Sequence, residues 1–157
     1  MKKLFFLITF VIVTLSAKGQ STGELRLQVG GDYGFEIERF GVNFGAEYLF
    51  LDNISVAPNF TVYFPEEDVN ASNLNLDVRY YLSHQQLQFY GMAGFTTLWV
   101  SSKYMGIKAS ASNSGANIGV GTVIKFTDNF GINPEVKYQT LGDGQVVVKA
   151  GLVYLLQ

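Results

Sequence analysis

From Leu25 to the end of the chain, apolar and polar positions alternate with a period of two, and the 3.6-residue period of an amphipathic helix is missing. Every second residue gives one apolar set per segment. The first runs Leu25, Leu27, Val29, Gly31, Tyr33, Phe35, the second Phe40, Val42, Phe44, Ala46, Tyr48, Phe50, and the third Ile54, Val56, Pro58, Phe60, Val62, Phe64. The fourth is Leu74, Leu76, Val78, Tyr80, Leu82 and the sixth Ala116, Ile118, Val120, Thr122, Ile124, Phe126. The seventh is Phe130, Ile132, Pro134, Val136, Tyr138 and the eighth Val146, Val148, Ala150, Leu152, Tyr154, Leu156. The fifth, Leu87 to Val100, is apolar on both parities, which leaves its facing open; Phe89, Ala93, Phe95 and Trp99 outward is the preferred choice.

None of the seven sets contains a charge. The opposite parity holds Glu24, Arg26, Asp32, Glu47, Asp77, Arg79, Lys125, Glu135, Lys137 and Lys149, five acids against five bases, together with Gly30, Gly34, Gly41, Gly45, Gly119, Gly121, Gly131 and Gly151. Alternation alone does not decide which parity is inside, because a soluble ligand-binding barrel alternates too. Volume does. The interior of an eight-stranded barrel is just wide enough for side chains to fill it. Roughly forty apolar residues, many of them Phe and Tyr, exceed that space, whereas the glycine-rich parity fits. The bulky set therefore faces outward, which is tolerable only in lipid. The pattern predicts an all-β fold, an eight-stranded antiparallel up-and-down transmembrane β-barrel. Its interior carries a structural charge network of Arg26, Asp32, Glu47, Asp77, Arg79, Lys125, Glu135, Lys137 and Lys149.

Connections alternate in length as such barrels require. The short ones are Leu51–Asn53, Ser83–Gln86 and Thr127–Asn129; the longer ones are Pro65–Ala71, Ser101–Asn113 and Thr140–Gln145, with Glu36–Arg39 the brief exception. An even strand count puts both termini on the short-turn, periplasmic side. Outward aromatics gather at strand ends, Phe35, Phe40, Phe64 and Trp99 at one rim and Tyr48, Phe50, Tyr80, Phe126, Phe130 and Tyr154 at the other, as expected of interfacial girdles. Pro58 and Pro134 sit awkwardly in closed-barrel strands, since each lacks an N–H, and are expected to mark bulges.

The first nineteen residues have a different character. Met1-Lys2-Lys3 precedes an apolar run from Leu4 to Leu15 and a small-residue end, Ala17-Lys18-Gly19. Basic start, short apolar centre and small residues read as a cleaved signal peptide over 1–19, ahead of a barrel domain over 20–157. Twelve residues span only about 18 Å as a helix, short of the roughly 30 Å hydrocarbon core. Removal of the leader takes Lys2, Lys3 and Lys18 and leaves eight basic against thirteen acidic groups, so a nucleic-acid partner is not expected. There is no cysteine, hence no disulfide framework and no thiolate metal site.

Catalysis has little to work with. The one histidine, His84, falls in a short turn, which removes any His-based triad or metal site. Glu66-Glu67-Asp68 forms an acidic loop tip whose plainest role is solvation, with weak divalent-cation bridging to lipopolysaccharide as the alternative. No catalytic residue, cofactor or metal is expected.

The leader end Ala17-Lys18-Gly19-Gln20, the hairpin Phe50-x-Asp52-Asn53-x-x-Val56-x-Pro58 with its echo Phe126-x-Asp128-Asn129-x-x-Ile132-x-Pro134, and the closing strand Val146 to Leu156 resemble small outer-membrane β-barrel domains of the OmpX and OmpA-barrel type, including those of Bacteroidetes-like bacteria. The chain departs from their usual aromatic end, finishing Leu156-Gln157 with Tyr154 two residues earlier. The resemblance implies residence in the bacterial outer membrane, contact with its lipids and lipopolysaccharide, and recognition by the barrel-assembly machinery. Three functions stay open: a non-enzymatic structural or surface-interaction barrel with a filled interior that presents loops such as Ser101–Ser114; a narrow ion or small-solute channel; and a secreted lipocalin-like barrel for an apolar ligand. Balanced interior charges favour the first, because buried charges need partners.

Overall fold

A computed structural model describes residues 22–65, 69–83, 85–104 and 107–156. The expected leader, His84 and Glu66-Glu67-Asp68 lie outside these residues. Eight strands follow in chain order: β1 (Leu25–Gly34), β2 (Arg39–Leu51), β3 (Ile54–Tyr63), β4 (Val69–Tyr81), β5 (Leu87–Tyr104), β6 (Ile107–Lys125), β7 (Phe130–Gln139) and β8 (Gln145–Leu156). Each pairs antiparallel with its sequence neighbour, and β1 pairs with β8 to close the barrel. Closure leaves no edge within the cylinder, which is what lets a sheet satisfy its own backbone in lipid.

The side-chain alternation follows the volume argument. Phe44, Leu76, Phe95, Val120 and Leu152 are all more than half exposed, whereas Arg79, Asp77, Lys137 and Lys149 are almost fully enclosed. On β5, Phe89, Ala93, Phe95 and Trp99 point outward; Tyr90, Met92 and Leu98 fill the interior, which is why that segment is apolar on both parities. Glycine makes room for the large interior rings. A Cβ on Gly121 would collide with the Tyr90 ring, and one on Gly30 would strike the backbone of Ala150 and Gly151 across the β1–β8 seam.

Two expectations need correction. Pro58 and Pro134 mark no bulges. Pairing of β2 with β3 runs from Gly45↔Asn59 to Tyr48↔Val56, and of β6 with β7 from Gly121↔Glu135 to Ile124↔Ile132, with unchanged register across each gap. The ladder merely opens at each proline, while the opposite edge stays paired through Pro58↔Leu76 and Pro134↔Ala150. At Pro134 the Asn133 amide donates to the Thr122 carbonyl at 2.8 Å, so that acceptor is satisfied from inside the barrel. The register shift that does occur lies at Leu49/Leu51, beside the turn.

The second correction concerns Ser101–Asn113, expected as a loop. Both flanks are strand, and β5 pairs with β6 without interruption from Leu87↔Ile124 to Tyr104↔Ile107. The serine, asparagine and glycine content that reads as a loop belongs to an extended ribbon whose backbone ladder needs no apolar side chains. Likewise β4 starts at Val69, paired with Ser102, so Val69–Ala71 belong to the sheet.

Candidate functional site

The lumen is built from the inward parity of all eight strands, and its polar residues form one connected system. Nearest the termini, Arg26 of β1 bonds Glu24 through Nε at 2.6 Å, and its Nη1 donates to the Tyr81 hydroxyl at 2.9 Å and lies 3.8 Å from Glu47. Tyr81 in turn donates to Glu47 at 2.7 Å. The centre is Arg79 of β4. Its guanidinium spans the tube, reaching Glu47 of β2 at 3.0 Å and Glu135 of β7 at 2.8 Å, and it lies 4.6 Å from the centre of the Tyr90 ring. A planar fork that serves two carboxylates on opposite walls is a task for arginine rather than lysine.

Glu135 gathers three of the buried cations. Besides Arg79 it meets Lys149 of β8 at 2.9 Å and Lys137 at 3.7 Å, and accepts from the Tyr90 hydroxyl at 2.6 Å. Lys137 also faces Asp77 at 3.8 Å. From Asp77 the network passes into amides: Asn117 donates to it at 2.8 Å and Asn59 at 3.1 Å. Asn75, Gln139 and Thr96 carry the bonds onward, and Gln145 donates to Gln139 at 2.6 Å near the far end. Asp32 accepts from Thr61 and Asn43, with both Lys137 and Lys149 within electrostatic reach.

Eight of the nine residues expected in the interior network are thus buried in the lumen and brought into one array: Arg26, Asp32, Glu47, Asp77, Arg79, Glu135, Lys137 and Lys149. Lys125 is not in it. It ends β6 at the turn-side rim, partly exposed, facing Glu24 and Asp128. Four acids and four bases remain inside, so the buried charge balances without it.

Sequence reasoning missed two groups of luminal residues. One is the amide and hydroxyl ladder of Asn43, Asn59, Asn73, Asn75, Asn117 and Gln139. The signal was present, since all sit on the inward parity, but a search restricted to charges passes over it. The other is an apolar plug at the far end, where Tyr63, Ala71, Leu98 and Leu141 pack together with Ile37 and Val100 against them. Ile37 comes from the β1–β2 turn and Leu141 from the β7–β8 turn, so two connections fold inward over the mouth. Packing of this kind depends on loop conformation, which the strand period does not encode.

Outside the cylinder the sheet continues on one side only. Pairing of β6 with β7 ends at Asn117↔Gln139, after which Thr140 caps Ala116 through its backbone N–H (2.9 Å) and its hydroxyl (2.8 Å). The β5–β6 ladder runs ten rows further, from Phe95↔Ala116 to Tyr104↔Ile107, about 33 Å at the usual strand rise. β4 covers the β5 side of this ribbon up to Val69↔Ser102. The β6 side has no ladder partner among the described residues from Ile107 to Gly115, and Ala109 to Ser114 are exposed.

The same architecture recurs in solved structures. The chain superposes on the N-terminal β-barrel domain of Pseudomonas aeruginosa OprF with a TM-score of 0.76 at 19% identity, covering 87% of this chain and all of that one. Neisserial surface protein A gives a TM-score of 0.66 at 15% identity over 83% and 95% of the two chains. Ail, the attachment invasion locus protein of Yersinia pestis, gives 0.63 at 19% identity over 85% and 98%. No curated protein sequence matches the chain. The family model for the outer membrane protein beta-barrel domain matches residues 8–154. A closed eight-stranded sheet with an apolar exterior, an ion-paired lumen and this match together place the chain in the bacterial outer membrane, as a member of the outer membrane protein beta-barrel domain family.

Proposed function

We propose that the protein is a non-enzymatic surface-interaction barrel, in which the filled cylinder is an anchor and the β4–β5–β6 extension is the working part, turned away from the cell. The observation that carries this reading is the β6 edge from Ile107 to Gly115, which has no ladder partner among the described residues. An unpaired strand presents a row of N–H and C=O groups that can add a further strand. Proteins ordinarily blunt such edges with charge, proline or a bulge. The edge carries one charge, Lys108 near its tip; from Ala109 to Gly115 there is neither charge nor proline, and the β5–β6 register is unbroken. The small Ala and Ser side chains of Ala109–Ser112 and Ser114, interrupted only by Asn113, let another backbone come close on either face. The expected partner is an extended segment of another protein.

The channel alternative is disfavoured by the lumen. Arg79 spans the tube at its middle, and the Tyr63–Leu98–Leu141 cluster fills the far mouth. A continuous water column has to displace both.

The test uses cells that display the protein, probed with an array of extended, β-prone peptides. Binding should occur and should be lost in Ala111→Pro, which breaks the edge, while heat-modifiable gel mobility shows the barrel intact. Binding that ignores Ala111→Pro, or stepwise conductance of the purified protein in planar bilayers, overturns the reading.

A further inference from the structure

The outward face of β4, β5 and β6 changes character at Trp99. Immediately below it lies the mixed row Leu74–Thr97–Ser114, whose two hydroxyls bond each other at 3.0 Å, and beneath that, toward the middle of the barrel, the apolar belt of Leu76, Phe95 and Ala116 begins. At and above it the rows become Ser72–Trp99–Ser112 and Asn70–Ser101–Ser110. These residues line a groove of about 540 Å³, whose β3 wall is formed by Phe60 and Val62. The groove therefore straddles the boundary between hydrocarbon-facing and water-facing surface. None of its described lining residues is charged.

We propose that this groove binds a neutral sugar in the headgroup of a glycolipid of the surrounding leaflet. The proposal does not depend on the strand-edge reading. A hexopyranose has an apolar C–H face and a rim of hydroxyls that both donate and accept. Trp99 supplies a flat apolar surface, two-fifths exposed. The flanking serine hydroxyls and the Asn70 amide supply donors and acceptors together, whereas a phosphate site would show Arg or Lys. The position selects a lipid-linked sugar over a free one. Acyl chains cover Phe60, one row below Trp99, and Val62, in register with it on the β3 wall, while the headgroup meets the serines beside and above, so one amphipathic molecule satisfies both parts of the groove. A tryptophan used only as an interfacial anchor needs no ring of hydroxyls and has no preference among headgroups of equal chain length.

Trp99 is the single tryptophan of the chain, so its fluorescence reports this site alone. Full-length mature protein is reconstituted in bilayers containing bromine-labelled acyl chains, carried in turn by a monoglucosyl diacylglycerol, a phosphatidylcholine and a phosphatidylglycerol. Quenching should show at least a threefold preference for the glucolipid over both phospholipids. The triple variant Ser72→Ala/Ser101→Ala/Ser112→Ala, checked as folded by heat-modifiable mobility, should reduce that ratio to about one. Should the triple variant misfold, the exposed single changes Asn70→Ala and Ser101→Ala should each at least halve the preference. Equal quenching by the three lipids overturns the proposal, as does a preference for the anionic lipid or one that survives the substitutions.

Discussion

Arg79→Met removes the guanidinium that joins the two walls of the barrel while retaining most of its apolar volume. The residue is 1% exposed and contacts Glu47 at 3.0 Å and Glu135 at 2.8 Å. At an effective dielectric constant near 20, each contact represents about 5 to 6 kcal/mol of gross attraction, most of it offset by the loss of hydration. What decides the outcome is the state of the carboxylates left behind. Glu135 keeps Lys149 at 2.9 Å, but Glu47 is left with Arg26 at 3.8 Å and the hydroxyls of Ser55 and Tyr81. Breaking a buried pair by removing one partner costs about 3–5 kcal/mol, and the partial compensation at Glu135 puts the expected loss at the lower end. The assay is reversible urea-driven folding into lipid vesicles, followed by heat-modifiable mobility, with Lys125→Met as the rim control. Lys125 is partly exposed and should change stability by less than about 0.5 kcal/mol. If Arg79→Met and Lys125→Met cost the same, the lumen is not organised around Arg79 and the reasoning fails.

Phe44→Arg and Val120→Arg, at positions 55% and 59% exposed on the outer wall, should each destabilise the inserted barrel by about 2–4 kcal/mol in the same folding assay. Gly30→Ala should cost about 1–3 kcal/mol, since its Cβ meets immovable backbone of β8, whereas Gly91→Ala, with open space around it, should be neutral; equal effects would contradict the packing at the β1–β8 seam. Asn133→Ala leaves the Thr122 carbonyl beside Pro134 without its donor and should cost about 1–3 kcal/mol, with faster amide exchange confined to the β6–β7 seam.

How much of this could be read from the chain depends on which residues carried a periodic signal. The facing of seven strands followed from side-chain volume, because Phe and Tyr on one parity and Gly on the other leave a single way to fill a narrow tube. β5 resisted that argument for a physical reason: Tyr90, Met92 and Leu98 are luminal yet apolar, so polarity does not mark its inner face. Composition misled at Ser101–Asn113, since a strand beyond the lipid needs no apolar side chains and its ladder is invisible in residue type. The prolines misled in the opposite sense. An open ladder rung with Asn133 as substitute donor is less disruptive than a bulge, and recognising it requires knowing that Asn133 and Thr122 face each other. Parity located the charged residues of the lumen but not their pairing. That Arg79 bridges Glu47 and Glu135 depends on barrel stagger, which no local pattern encodes.

Which parity touches lipid decides whether the barrel spans a membrane, and the absence of native cysteine makes that directly measurable on β4. Single cysteines at each position from Asn73 to Tyr81 would carry an environment-sensitive fluorophore in bilayers of bromine-labelled lipid. Labels at 74, 76, 78 and 80 should be blue-shifted and strongly quenched, while those at 73, 75, 77, 79 and 81 should label poorly and escape the bromine. Quenching at the odd positions with the even ones open to water would contradict the membrane-facing assignment outright.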